Sequence, residues 1–420
     1  MSDNTVLSPG QLDVISAARY GTEGYPHEAW TRLRREAPVC WMEPPNYRPF
    51  WAITKHADIV EISKQPGKFR SAGRFVLFPE LGGGQNAENM ADDPPLRMLV
   101  NQDPPEHRDL RGLVSKWFTP RSVRRLEPRL EEITSEIFDE LAGEGEFDFV
   151  NTIAARQPLR MITEILGIPR EQEDLVLRIT NENFGIEDAE FAREGESREE
   201  RLAFIGEAFA FLGELLESRR QQPKDDLATV LAQATLRGEP VPQFELFSLL
   251  FLIMVAGHDT TRNAISSGLL ALLGHPDQLQ KLRRDPSLVD RAADEIVRWT
   301  TPVNHFVRTA NQDYELRGQT IRKDDSAALF YASANRDEEV FEEPYSFRID
   351  RSPNPHLGFG IGEHFCLGSH LARMDLRVFF RQLVQRVESI ELAGPVELLH
   401  ASFVGGPKRV PIRYRIRPLG

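Results

Sequence analysis

The sequence predicts a mainly helical α+β fold, one domain over residues 1–420 with a minor sheet region. Three observations lead there. Apolar residues recur at helical spacing from about residue 104 to 300. Strand-like segments are short and lie toward the two ends of the chain. No internal repeat and no Gly/Ser-rich linker divides it.

Taken in order, Phe50 to Thr54 reads as a strand, Ala57 to Lys64 as a short helix, and Gly82 to Asn86, with its surroundings up to Pro94-Pro95, as a loop. Asp103-Pro104-Pro105-Glu106 is a helix start: an N-cap Asp, prolines where a missing N–H costs least, and Glu three residues after the cap. Lys224-Asp225-Asp226-Leu227 starts another helix. The apolar run Phe247 to Gly257 is shorter than the ~20 residues that span a bilayer, so it is expected as a buried helix. Tyr314 to Gly318 and Ala327 to Tyr331 fit a small sheet. Val410, Ile412, Tyr414 and Ile416 alternate with Pro411, Arg413, Arg415 and Arg417 as in a half-buried strand.

Composition narrows the function. Hydrophobic residues at 40% and charged residues at 27% suit a water-soluble globular chain. A net charge of −13 argues against nucleic acid as a partner. Only two cysteines are present, Cys40 and Cys366, too few for an all-Cys iron–sulfur cluster or a Cys-rich zinc site. The start Met1-Ser2-Asp3-Asn4-Thr5 lacks a signal-peptide pattern, so a cytoplasmic protein without a membrane segment is expected.

The most informative segment is Phe359-Gly360-Ile361-Gly362-Glu363-His364-Phe365-Cys366-Leu367-Gly368, followed by Leu371, Met374, Val378, Phe379 and Leu383 at helical spacing. A glycine-rich bend delivers Cys366 to a helix start, where unpaired N–H groups and the helix dipole favour a thiolate. Glycines leave room for a flat macrocycle on the loop.

This string resembles the haem-binding signature of the cytochrome P-450 family. Further segments match in the family's order: Ala256-Gly257-His258-Asp259-Thr260-Thr261, Glu295-Ile296-Val297-Arg298, and His107 with Arg111. The match spans nearly the whole chain and is of the soluble bacterial type. Ser333 to Phe341, His356 to Gly360 and Phe403 to Pro411 resemble terpenoid-oxidising members, most nearly the α-terpineol hydroxylase subgroup.

The resemblance implies a monooxygenase that carries haem b between a long central helix and the cysteine-loop helix. Cys366 would be the axial ligand to iron, with Phe359, Gly368 and Ala256 around the haem, and His107, Arg111, Arg308 and His364 on its propionates. Asp259 and Thr260 would deliver protons to bound dioxygen. Thr260 also has the ordinary choice of bonding a carbonyl in the preceding turn. Glu295 and Arg298 would form a buried structural network with Arg351, or less favourably Arg348.

The substrate pocket would draw on the loop from about 70 to 100, the segment from about 160 to 215, and Ile253, Ala256, Val303, Asn304, Phe306, Phe403 and Val404. That lining suits a small hydrophobic substrate, and the resemblance implies a monoterpenoid or aromatic hydrocarbon. Asn304 and His305 would meet a substrate hydroxyl or face solvent. No reductase or flavin motif is fused to the chain, so electrons would come from a [2Fe-2S] ferredoxin and its reductase. Arg108, Arg111, Lys116, Arg121, Arg124 and Arg125 form a basic stretch that would dock the ferredoxin or simply be solvated. A peroxide-using haem peroxygenase and a non-catalytic haem gas sensor are the competing readings, and Asp259-Thr260 disfavours both.

Overall fold

Apolar periodicity in the middle of the chain becomes a stack of helices around one long one. The computed structural model describes residues 8–79, 97–184, 188–191 and 198–417, so the expected loop at 82–86 and 94–95 lies outside the described residues. The helices that matter here are α1 (His56–Ser63), α2 (Glu106–Ser115), α3 (Glu127–Glu140), α4 (Arg156–Leu166), α5 (Glu173–Phe184), α6 (Gln243–Gly274), α7 (Val289–Thr300) and α8 (Ser369–Arg386).

Helix α6 has 32 residues and apolar side chains on every side, as expected of a helix surrounded by others. It packs on α4, α5, α7 and α8 in the main core. By length and composition α6 would cross a bilayer, yet most of its apolar stretch is buried by these neighbours. It runs well past the expected Phe247–Gly257 segment because Asp259 and Arg262 pair with each other at 2.9 Å, which lets both remain inside.

Two other expectations shift. Asp103 does not cap α2: its carboxylate accepts from the backbone N–H of Ser71 (2.7 Å) and Ala72 (3.0 Å). The helix begins at Glu106 with Pro105 in the cap position. The chain from 104 to 300 also holds a strand, Gly143–Asp148, whose glycines and acids disguise it. It pairs with Pro411–Ile416, the alternating segment, which lies between it and Val387–Leu392. Ile412 and Ile416 point inward, while Arg413 and Arg415 meet Glu146 and Glu144 across the strands.

A five-stranded sheet lies beside the helices. Its strands β1 (Val39–Met42), β2 (Phe50–Ile53), β3 (Phe69–Arg70), β4 (His305–Ala310) and β5 (Ser326–Phe330) run in the order β1-β2-β5-β4-β3. Only β2 and β5 are parallel. Tyr314–Leu316 is not part of this sheet. It forms its own hairpin with Gln319–Ile321, turned by Arg317 and Gly318 at φ 50° and 75°. On β4 the two-residue period puts Phe306 and Arg308 on one face, toward the helices.

Behind the cysteine loop, Glu295 anchors a buried ionic cluster. Its carboxylate accepts two bonds from Arg298, both 2.7 Å, and two from Arg351 Nε, 3.2 and 3.3 Å. Arg348 contributes its backbone N–H (2.9 Å), while its side chain reaches surface acids. The remaining guanidinium N–H groups go to the carbonyls of Asn335, Glu342, Glu343, Pro344 and Ser346. Glu295→Ala leaves two buried guanidiniums without their anion and is expected to cost about 3–5 kcal/mol. Thermal unfolding checks this, and a variant as stable as the parent would show that the carbonyls alone hold the cluster.

Candidate active site

The cysteine loop closes one wall of a cleft whose opposite wall is α6. The loop is fixed by its own backbone: Cys366 N–H donates to Phe359 O (2.9 Å), Gly360 N–H to Leu357 O (2.8 Å) and Phe365 N–H to Gly362 O (3.1 Å). Gly360 and Gly362 take φ of 66° and 80°, where a side chain is strained. At Gly362 the reason is steric as well, since a Cβ would lie 2.3 Å from Ser63 O at the end of α1. That glycine serves the protein's own packing; at Gly368, by contrast, a Cβ would meet nothing.

Cys366 Sγ accepts from Gly368 N–H, and Arg111 and Arg373 lie near enough to favour its anion. Burial nevertheless prevails and pushes the thiol up. Helix α8 starts at Ser369 with Gly368 in the cap position, so the helix terminus reaches the sulfur through the Gly368 N–H. A coordinated metal ion removes such a proton outright. Phe359 is stacked under the Arg373 guanidinium, 4.4 Å from the ring centre.

At one end of the cleft four nitrogen-bearing side chains converge: His107, Arg111, Arg308 and His364. His107 is fully buried and neither ring nitrogen has a hydrogen-bond partner. Its ring lies 4.2 Å from that of His364, whose Nε2 contacts Ser71 Oγ at 2.9 Å. Arg111 donates to Phe365 O (2.7 Å) and Arg308 to Val307 O (2.8 Å). Burial depresses the pKa of all four, with neighbouring cations adding to the effect on both histidines. The nearby acids are engaged elsewhere: Asp103 on backbone N–H groups and Glu363 on Arg108. A buried donor cluster with spare capacity and no carboxylate of its own fits an incoming dianion.

The cleft holds about 1500 Å³ free of protein atoms, its mouth included. Ile253, Ala256, Thr260, Val303 and Phe306 line it, as do Phe359, Cys366 and Gly368.

Five expected residues stand back from the cleft lining. Asn304 is buried and its amide donates to Tyr20 OH (2.5 Å) and Ser402 O (3.0 Å), so it faces neither substrate nor solvent. Its neighbour His305 is buried too, accepting from Leu77 N–H at 3.2 Å. Phe403 sits behind Phe306 with ring centres 5.4 Å apart, and Val404 bridges to Val303. Asp259 is fully buried beside Arg262. Thr260 makes the ordinary bond of a helical threonine, Oγ1 to Ala256 O at 2.9 Å. Gly257 lines the cleft together with Ile162 of α4, whose Cδ1 would be 2.9 Å from a Cβ there.

Leu249 and Leu252 also line the cleft, and their spacing with Ile253, Ala256 and Thr260 on one helix face was readable in advance. Tyr331 lines it as well; it follows β5 directly, and nothing in the sequence separates it from the buried strand. Asp375 belongs to the apolar stripe of α8 and is buried on the cleft, with Gln157 as its hydrogen-bonding partner: the amide donates to Asp375 O (3.0 Å) and Oδ1 (3.4 Å). The basic stretch divides too. Arg108 is bound to Glu363 and Arg111 turns to the cysteine loop, leaving Lys116, Arg121, Arg124 and Arg125 exposed with no ion pair among the described residues.

These features define a class: proteins that hold a planar, dianionic prosthetic group between a long helix and a cysteine-bearing loop. Comparison with known proteins is decisive on the family. A cytochrome P450 family model matches residues 195–404. The chain is 38% identical over 418 residues to cytochrome P450-terp of a Pseudomonas species, covering 96% of each. It is 35% identical to steroid C26-monooxygenase of Mycolicibacterium smegmatis, covering 97% of this chain and 94% of that one. With linalool 8-monooxygenase of Pseudomonas putida the identity is 37%, over 93% and 96%. The crystal structure of a P450 from Novosphingobium aromaticivorans superposes with a TM-score of 0.86 at 35% identity, covering 96% and 97%. The chain belongs to the cytochrome P450 family. It is a P450 monooxygenase, and the prosthetic group of that family is haem b.

Burial raises the Asp375 carboxyl to about 7, opposed only by the bond from Gln157. A carboxyl raised above its unfolded value of ~3.9 binds more protons when folded, so its contribution to stability falls as pH climbs from the unfolded to the folded pKa. Asp375→Asn should therefore lose less stability than the parent between pH 5 and pH 8, by about 2–4 kcal/mol. Denaturation at both pH values checks this, and parallel losses in the two proteins would refute it.

Proposed function

We propose that this protein, as one haem-binding domain, inserts an oxygen atom of O2 into a small neutral terpenoid, drawing electrons from a separate [2Fe-2S] ferredoxin. The observation that carries the reading is the cleft itself. It has a lone cysteine on one wall, an apolar helix face opposite, and at one end four nitrogen donors without a carboxylate of their own, His107 and Arg308 buried and Arg111 and His364 half-buried.

The haem, when bound, supplies the iron at which dioxygen is reduced and split. Cys366 would ligate the iron, with the Gly368 N–H tempering the sulfur's charge. Arg111 and Arg308 would meet the propionates with planar N–H pairs, and His107 and His364 would add ring N–H donors. On the far side Leu249, Leu252, Ile253, Val303 and Phe306 exclude water and orient an apolar substrate by shape. Thr260 Oγ1 is the hydroxyl at the oxygen-binding end, and Asp259 is the acid that resupplies its proton. The names of two relatives, P450-terp and linalool 8-monooxygenase, favour a terpenoid. The steroid C26-monooxygenase relative supports a larger ring system as the second reading. Spin-state titrations with linalool and with a sterol separate the two.

The exposed Lys116, Arg121, Arg124 and Arg125 follow in sequence from Arg111, which donates to Phe365 O of the cysteine loop, and suit an acidic ferredoxin. Carbon monoxide added to dithionite-reduced protein tests the ligand: a strongly red-shifted Soret band is expected, and Cys366→His should lose it. A wild-type spectrum like that of a His-ligated globin would overturn the assignment. Thr260→Ala should keep haem content and the substrate-induced spin shift while coupled product falls roughly tenfold or more, with the balance appearing as peroxide. Product yield equal to the parent's would remove Thr260 from proton delivery.

A further inference from the structure

Asp259 is flanked by two groups that favour opposite protonation states. Arg262 Nη2 lies 2.9 Å from Oδ1 and stabilises the carboxylate. On the other side His258 Nδ1 lies 3.7 Å from the same oxygen. The tautomer of that imidazole follows from its contacts. Nε2 faces the carbonyl oxygen of Ala155 at 3.1 Å, and a carbonyl only accepts, so Nε2 carries the hydrogen. The ring is fully buried and burial holds its pKa down at about 3, so it is neutral and Nδ1 is a bare lone pair. Nδ1 has no hydrogen-bond partner, and neither carboxylate oxygen has one. Two acceptors thus face each other in a buried site, and a proton is what would join them.

Arg262 is the one other charged group acting on the pair among the described residues. Among the described residues the elements around the pair offer Arg262 from α6, the Ala155 carbonyl at the foot of α4, and the Asn181 amide of α5. Asn181 Oδ1 accepts from Arg262 Nη1 at 2.8 Å and is half-buried, so the polar chain from Asp259 leads outward to solvent.

We infer that His258 is a positioning residue for Asp259: its Nδ1 accepts the hydrogen bond of the protonated carboxyl, so the acid alternates between an ion pair with Arg262 and an acid form held by His258. The inference rests on the reading of Asp259 as the proton source for Thr260. In the step, Asp259 takes one proton from water along the Arg262–Asn181 side and turns Oδ1–H onto Nδ1. It then gives that proton up toward Thr260 and returns to Arg262. One proton enters and one leaves, and His258 stays neutral. Burial raises the Asp259 carboxyl while Arg262 lowers it, and an acid pulled both ways can both accept and donate.

Infrared titration of the haem-loaded protein tests this, with the Asp259 band identified as the one missing from Asp259→Asn. His258→Leu removes the acceptor and should lower the midpoint by about one pH unit, whereas Arg262→Gln should raise it by about one or more. His258→Asn, which restores an acceptor near the Nδ1 position, should recover part of the shift. Coupled oxidation of linalool should shift its pH profile in the same directions, with the linalool dissociation constant unchanged. If the band of His258→Leu titrates as in the parent, or if His258→Leu and Arg262→Gln shift it the same way, the inference is wrong. Should His258→Leu fail to retain haem, a midpoint in His258→Asn lower than in His258→Gln would overturn it and the reverse order support it. Unchanged product yield in Asp259→Asn would instead sink the underlying role of the acid, whatever His258 does.

Discussion

Everything at the site hangs from the buried pairing of Glu295 with Arg298 and Arg351. One carboxylate holds two guanidiniums, and these spend their other N–H groups on carbonyls between Asn335 and Ser346. Asn354 adds a bond to Glu295 at 3.2 Å, and Asn335 Oδ1 accepts from Leu357 N–H at 2.7 Å. An irregular stretch of chain is thereby bolted to α7 just before it turns into the cysteine loop. A stretch with few backbone bonds of its own would otherwise leave Cys366 poorly placed. Buried ion pairs add little net stability over apolar packing, so their value here is in fixing one geometry.

With the loop fixed, the two ends of the cleft differ in how charge is balanced. At the His107–Arg308 end, buried donors lack an anion, and their pKa values are all pushed toward the neutral form. At the Asp259 end a buried carboxylate has its cation within 3 Å and is closed off from the cleft. The first imbalance is one that a bound dianion would relieve, in keeping with the cofactor seat proposed above. At the second, burial raises the carboxyl and Arg262 lowers it, in keeping with the proposed proton reservoir.

Much of this was legible in the sequence, and the failures have physical causes. The glycines and cysteine of the loop, the α6 face and the Glu295 cluster all depend on residue type at fixed spacing, which a sequence displays. What stayed hidden depends on where a side chain turns once neighbours arrive. Asn304 has the polarity to touch a substrate, but Tyr20 and Ser402 claim its amide. Asp103 has the chemistry of a helix cap, but the Ser71–Ala72 backbone is a better donor pair. Gly143–Asp148 has almost no strand propensity and forms a strand because the arginines of Pro411–Ile416 need acids opposite. Asp375 and Tyr331 sit in apolar stripes, where sequence alone reads a side chain as core.

The bond from Thr260 Oγ1 to Ala256 O and the Asp259–Arg262 pair belong to the same resting arrangement. Thr260 is satisfied by its own helix and Asp259 is paired with Arg262, and under the proposed relay both contacts must let go before a proton can pass. Each release is small on the scale of folding: a neutral hydrogen bond contributes about 1 kcal/mol net. The ion pair is the costlier of the two, because a buried carboxylate that leaves its cation must be neutralised or find another partner. His258 Nδ1 is the acceptor that makes the neutral form tolerable in place. A helix that keeps its acid silent until a proton arrives also limits proton leakage when no substrate is bound. That is the reason to expect the residue preceding Asp259 to matter as much as the one following it.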